Sequence, residues 1–242
     1  MYRLPIYAHR GWTKHEPENT LEAMKEAMIQ TAADGIEFDL QLTKDRIAIV
    51  THDLNLKRML GISKCVNDCT LNEIRSQKIK GSRHCINTFS ELLAWAIPNK
   101  VPMNIELKES FIGRTADLEI VVKKTQHLPN VHYSSFHLEV LQQVKVMKPT
   151  AEVAFIPKRK FDWTRLNDLP WIDALHVNKH FFYKEKYWNM AQDLNKVLRF
   201  YSITGKEKWL QKPQHPSIVG WITDEPNRVA DAQRYVDSYV EE

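Results

Sequence analysis

Residues 35–42, GIEFDLQL, alternate apolar and polar side chains as a half-buried strand does, and the polar side opens with two carboxylates, Glu37 and Asp39. Two residues apart on a strand they project to one side, where like charges are costly unless neutralised; a divalent cation would neutralise them. Alone, Glu-x-Asp is also what a wetted strand face looks like. The run MNIELK at 103–108 repeats the pattern, with Met103, Ile105 and Leu107 on one side and Asn104, Glu106 and Lys108 on the other. Glu37, Asp39 and Glu106 would form an oxygen-only ligand set. Such a set suits Mg²⁺ or Ca²⁺, with Mn²⁺ also fitting, better than zinc or copper. His9 and Arg10 follow the first strand-like run in YAHRGW, and His52 lies in THD at 51–53. A single histidine is usually a surface or packing residue. Two of them beside a cation could divide general-acid and general-base work, with Arg10 and Lys108 binding an anionic group. That equipment cleaves a phosphate ester.

These residues need a frame. Strand-like runs recur at 4–9, 35–42, 102–107, 131–136, 152–156, 173–177, 198–203 and 218–223, bounded by turn residues. Helical spacing lies between most of them, first from Leu21 through Met24, Ala27 and Met28 to Thr31. Asn19 with Glu22 reads as a capping box at its start, and Asp34 and Gly35 close it. Further helices are predicted at 88–97, 114–126, 137–147, 184–194, 205–212 and 226–238, with a weaker segment at 160–168. Strands alternating with helices predict a parallel sheet, and eight such units favour a closed (β/α)8 TIM barrel over an open doubly wound sheet. In a barrel, Glu37, Glu106 and His9 come to the catalytic rim at the C-terminal ends of their strands.

One run breaks the alternation. RIAIVTHD at 46–53 follows the second strand too closely for a parallel crossover, because four residues reach roughly 14 Å at most. The two runs must form a hairpin. With Lys44 and Asp45 as its turn, Asp39 faces Val50 and Glu37 faces His52, which sets His52 on the carboxylate side. Residues 54–87 are then a long, mostly polar insertion, expected to be a small lid or subdomain within one barrel domain spanning 1–242.

Composition excludes several classes. In 242 residues, 43% are hydrophobic and 26% charged, which fits a globular chain with a substantial core. A net charge of +4 with no long basic tract gives no support to a nucleic-acid partner. Three cysteines, an odd number in a chain of this size, argue against a disulfide framework and fit a reducing, cytoplasmic setting, and the lack of any C-x-x-C pair argues against a thiolate metal site at Cys65, Cys69 and Cys85. No secretory signal and no transmembrane span is expected.

The ordered series AHRG (8–11), PENT (17–20), GIEFDLQLTKD (35–45), THD (51–53), IELK (105–108), SSF (134–136) and GWITDEP (220–226) resembles the glycerophosphodiester phosphodiesterase family over nearly the whole chain. The resemblance implies a (β/α)8 barrel with an insertion after the histidine-aspartate motif. It implies cation binding by Glu37, Asp39 and Glu106, acid/base roles for His9 and His52, and phosphate contacts by Arg10 and Lys108. Phe136 and Tyr201 would line the substrate. The reaction implied is hydrolysis of a small-molecule glycerophosphodiester to sn-glycerol 3-phosphate and an alcohol; resembling barrels also carry lysophospholipase D or sphingomyelinase D activity. Two departures stand out: YSIT at 201–204 replaces the family's Trp-Thr-Val-Asn, and Arg46 stands where a glycine usually follows TKD.

Overall fold

The computed structural model describes residues 3–234. The chain runs β1 (Ile6–His9), α1 (Leu21–Gln30), β2 (Gly35–Leu42), β3 (Ala48–Val50), α2 (Lys57–Leu60), α3 (Leu71–Arg75), α4 (Phe89–Ala96), β4 (Met103–Leu107), α5 (Thr115–Thr125), β5 (Val131–Ser135), α6 (Leu138–Met147), β6 (Glu152–Phe155), β7 (Ala174–Asn178), α7 (Lys179–Phe182), α8 (Glu185–Asp193), β8 (Val197–Ile203), β9 (Ile218–Thr223) and α9 (Pro226–Arg234). Eight strands pair in parallel in the order β1-β9-β8-β7-β6-β5-β4-β2, and β1 pairs with β2 to close the ring. This is a (β/α)8 TIM barrel, with β3 as an antiparallel flap on β2.

The two-residue period of the strands sorts side chains between two environments. Ile36, Phe38 and Leu40 of β2 and Met103, Ile105 and Leu107 of β4 are fully buried against the helices, in one apolar layer with Met24, Phe89, Leu118 and Val121. The alternate positions meet inside the ring, where pairing puts His9 beside Glu37, Glu37 beside Asn104 and Asp39 beside Glu106. Deeper inside, His132 stands edge-on between Tyr7 and His176.

Three local expectations are corrected. The hairpin register is one residue off: Val50 faces Leu40, not Asp39, and Ile49 faces Gln41. The turn holds three residues, 44–46, because Arg46 takes a left-handed backbone (φ 64°) and its side chain pairs with the buried Asp117 of α5 at 2.9 Å. Glu37 therefore does not pair with His52, which lies beyond β3. Second, the N-cap of α1 is Thr20, whose hydroxyl accepts from Ala23 N, and the helix ends at Gln30 with Thr31 as its C-cap rather than at Asp34. Asn19 is instead turned by a positive φ of 60° toward Asp39. Third, 205–212 and 160–168 form only short 3-10 turns, Lys208–Gln211 and Trp163–Asp168. The predicted end of the last helix, 235–238, lies outside the described residues.

The inserted segment is less polar than its composition suggests. Leu56, Met59, Leu60, Val66, Cys69, Ile74, Ile79 and Ile86 gather with Ile49 of the flap into a second apolar cluster beside the barrel.

Candidate functional site

Gly11 explains how the first loop reaches the barrel mouth. Its φ of 85° is left-handed, and a Cβ there would lie 2.6 Å from the carbonyl carbon of Ala23, so only glycine lets the loop lie flat on α1. The loop delivers Arg10, whose backbone N donates to the Glu37 carbonyl at 2.9 Å and to its carboxylate at 3.0 Å.

Glu37, Asp39 and Glu106 converge, with one oxygen from each lying within 4.8 Å of the others. Glu37 and Asp39 are 2% and 1% exposed. Burial and the neighbouring Asp39 charge push Glu37 up to about 8 and Glu106 up to about 7. Asp39 goes the other way: burial would raise it, but Lys108 and Arg10 outweigh that and hold it low. Arg10 Nε lies 3.2 Å from Asp39 Oδ2, and Lys108 Nζ lies 2.6 Å from Glu106 and 3.4 Å from Asp39 Oδ1. Asp39 Oδ1 is nonetheless buried without a hydrogen bond. Carboxylates pushed up by burial and crowding, and an orphaned buried oxygen, are what a hard cation would relieve. The residues fit Mg²⁺, Ca²⁺ or Mn²⁺.

A cation binds the ionised carboxylates, so its affinity is expected to rise with pH up to about 8, with between one and two protons released per cation at pH 7. Calorimetry of Mg²⁺ or Ca²⁺ binding in buffers of different ionisation enthalpy measures that release. The stability sign is fixed likewise. These two groups hold protons in the folded chain that the unfolded chain loses near pH 4.5, so the cation-free Tm falls as pH rises from about 5 to 8.

His9, Arg10, Glu37, His52, Glu106, Phe136, Tyr201, Asn104, Ile156, His176, Ser202 and Ile222 line one cavity of about 260 Å³. Seven of the nine residues selected from the sequence are in that lining. The other two adjoin it: Asp39 converges with Glu37 and Glu106, and Lys108 reaches Glu106 and Asp39 with its ammonium 5.7 Å from the Phe136 ring centroid. Each candidate histidine is held by an aspartate through Nδ1: His9 by Asp224 at 2.8 Å and His52 by Asp53 at 2.8 Å. Burial would lower His9, but the Asp224 hydrogen bond and the Glu37 charge raise it to about 9. His52 reaches the cavity because the chain bends after Thr51, whose N donates to the Asp39 carbonyl, and Gln41 then fixes the His52 carbonyl.

Sequence reasoning missed several residues. Asn19 donates to Asp39 Oδ2 at 2.9 Å and accepts from Asp39 N, which pins that carboxylate from outside the ring. It lies in PENT, where it was read only as a helix cap, and Asp224 lies in GWITDEP, so both were within quoted motifs without a part in the site. Asn104 shares the polar side of MNIELK; it accepts from Ser134 and approaches His176 at 3.4 Å.

The residues 9–227 match the model of the glycerophosphoryl diester phosphodiesterase family. The chain belongs to that family. It is accordingly a phosphoric diester hydrolase. Among its relatives, the glycerophosphodiester phosphodiesterase of Caldanaerobacter subterraneus subsp. tengcongensis is 30% identical over 95% of this chain and 97% of its own. Lysophospholipase D GDPD3 of Mus musculus is 28% identical over 76% of this chain and 58% of its own. The fold matches an Oleispira antarctica phosphodiesterase solved in complex with the product sn-glycerol-3-phosphate, with a TM-score of 0.82, 20% identity and coverage of 97% of this chain and 98% of that one. Among the described residues no helix is long and apolar enough to cross a membrane.

Proposed function

We propose that this family member hydrolyses glycerophosphodiesters to sn-glycerol 3-phosphate and an alcohol, with a divalent cation held by Glu37, Asp39 and Glu106. The observation that carries the reading is the constellation itself: two imidazoles, each oriented by an aspartate, line one cavity with Glu37 and Glu106, on which the buried Asp39 converges. The C. subterraneus relative bears the same activity in its name, and the O. antarctica neighbour holds sn-glycerol-3-phosphate.

The cation supplies a positive charge that draws electron density from the phosphoryl oxygens. The chain does the rest. Arg10 and Lys108, both already beside Asp39, take the remaining phosphoryl charge. One histidine accepts the proton of the attacking hydroxyl, and the other protonates the departing alcohol oxygen. Asp53 and Asp224 fix the rings so that Nε2 is the working atom of each. The attacking hydroxyl is that of water or of the glycerol carbon next to the phosphate, and a diester lacking that glycerol hydroxyl distinguishes them. Undiminished turnover of it excludes the internal route.

Lys108→Met is expected to lower kcat/KM by about 10–100-fold, the worth of a charge-assisted contact to phosphate. Steady-state kinetics on glycerophosphocholine check this, and an unaffected kcat/KM places Lys108 outside the phosphate site.

The second reading, a lysophospholipase D activity, has the mouse relative in its favour. The cavity favours the first: about 260 Å³ lies at the small end for a ligand pocket, and it takes a glycerophosphoryl group and leaves an acyl chain outside. Assaying sn-glycerol 3-phosphate from glycerophosphocholine against choline from lysophosphatidylcholine, each with Mg²⁺, Ca²⁺ or Mn²⁺, decides between them. Faster turnover of the lysolipid overturns the primary reading.

A further inference from the structure

The inserted segment sends one side chain back toward the barrel mouth. Arg58, on α2, donates from Nε to Asp53 Oδ2 at 2.5 Å and from its two terminal nitrogens to Glu18 Oε2 and Oε1 at 3.0 and 2.7 Å. Each of those carboxylates has a second partner that lines the cavity. Asp53 Oδ1 meets His52 Nδ1 at 2.8 Å, and Glu18 Oε1 accepts from Arg10 Nη1 at 3.0 Å. One guanidinium therefore closes a chain from His52 through Asp53, Arg58 and Glu18 to Arg10. Among the described residues, Asp53 and Glu18 have no other side-chain hydrogen-bond partners.

We propose that Arg58 is a positioning residue for the hydrolysis, fixing the tautomer of His52 through Asp53 and the direction of Arg10 through Glu18. The proposal rests on the hydrolase reading above. A neutral imidazole that donates Nδ1–H to Asp53 presents its Nε2 lone pair to the cavity; if Asp53 rotates into water, that preference is lost. Arg58 prevents the rotation by occupying the second oxygen. The planar fork matters, since one edge takes Glu18 in two bonds while Nε takes Asp53, and a lysine ammonium cannot span both in that geometry.

A purely stabilising role is a poor account of the same contacts. Arg58 is about half exposed, and ion pairs so near the surface contribute little to folding. The insertion has its own apolar cluster to hold it together. Arg58 also touches none of Glu37, Asp39 and Glu106, and reaches them only through the Arg10 side chain, whose backbone bond to Glu37 does not depend on it, so its loss is expected to leave cation affinity nearly as it is.

The test uses the full chain with ¹⁵N-labelled histidine, the His52 signals being those that vanish in His52→Ala. At a pH where the ring is neutral, the wild-type ring is expected to carry its proton on Nδ1. Arg58→Met is expected to move population to Nε2–H and to lower kcat on glycerophosphocholine by about 10–100-fold, with Tm and the calorimetric affinity for Ca²⁺ retained. Arg58→Lys recovers part of kcat, and it is read in the same way should Arg58→Met fail to fold. An unchanged tautomer in these variants overturns the proposal whatever the activity does, as does a changed tautomer with wild-type kcat. If the wild-type chain hydrolyses no diester, the hydrolase reading fails by itself, and the proposal falls with it; activity in the wild type with a fixed tautomer in the variants sinks the proposal alone.

Discussion

Replacing His52 with alanine is expected to lower kcat by about 10²–10⁴-fold while the fold and the cation affinity persist. The ring is a third exposed at the edge of the cavity, so its loss opens no core cavity. The backbone of the same residue is held independently, because Gln41 donates to its carbonyl and Thr51 N to Asp39. Truncation therefore removes a proton carrier and leaves the turn in place. Asp53 keeps Arg58 as a partner, so no buried charge is stranded. Steady-state rates on glycerophosphocholine, with a thermal melt of the same sample, check the expectation. Wild-type rates would remove His52 from the mechanism.

Glu37→Gln is expected to raise the cation concentration needed for half-maximal activity by at least about 10–100-fold, a range already reached when groups that only orient metal ligands are lost. The amide is close in shape and its oxygen still accepts from Arg10 N, so the loop after β1 stays where it is. What changes is charge. One of three crowded carboxylates is gone, which weakens the cation and also relieves the cation-free protein. The Tm of cation-free Glu37→Gln is accordingly expected to fall less between pH 5 and 8 than that of the wild type. Activity titrated with Mg²⁺ or Ca²⁺ reads the first effect, and an unchanged midpoint counts against Glu37 as a ligand.

The strands were legible because alternation is a short-range signal. GIEFDLQL and IVGWIT start and stop where expected, and IELK lies in register with the second strand so that Glu106 falls beside Asp39. The barrel followed from eight such runs. The hairpin register did not, because it depends on Arg46 adopting a left-handed backbone, and the partner that holds Arg46 there, Asp117, lies 71 residues further on. A one-residue slip is enough to move His52 out of the predicted pair, yet the bend after Thr51 still delivers the ring to the cavity. The N-cap was misplaced for a related reason. Asn19 and Thr20 are both good caps, and what separates them is Asp39, which takes Asn19 for itself.

The groups that orient the histidines were the least legible. Asp224 lies 215 residues from His9, and no local pattern joins the two. Asp53 is adjacent to His52, but the arginine that steadies it sits in an insertion whose sequence reads as polar filler. Its apolar residues are irregularly spaced over short helices, so their convergence with Ile49 into a cluster carried no periodic signal.

The most direct measurement is a crystal of this chain soaked in Mn²⁺ and recorded at the manganese absorption edge. The anomalous peak is predicted among Glu37, Asp39 and Glu106, with an oxygen from each about 2.0–2.6 Å from the ion. A peak elsewhere, or none at a Mn²⁺ concentration that supports full hydrolysis, would contradict the assignment of the cation to these three carboxylates.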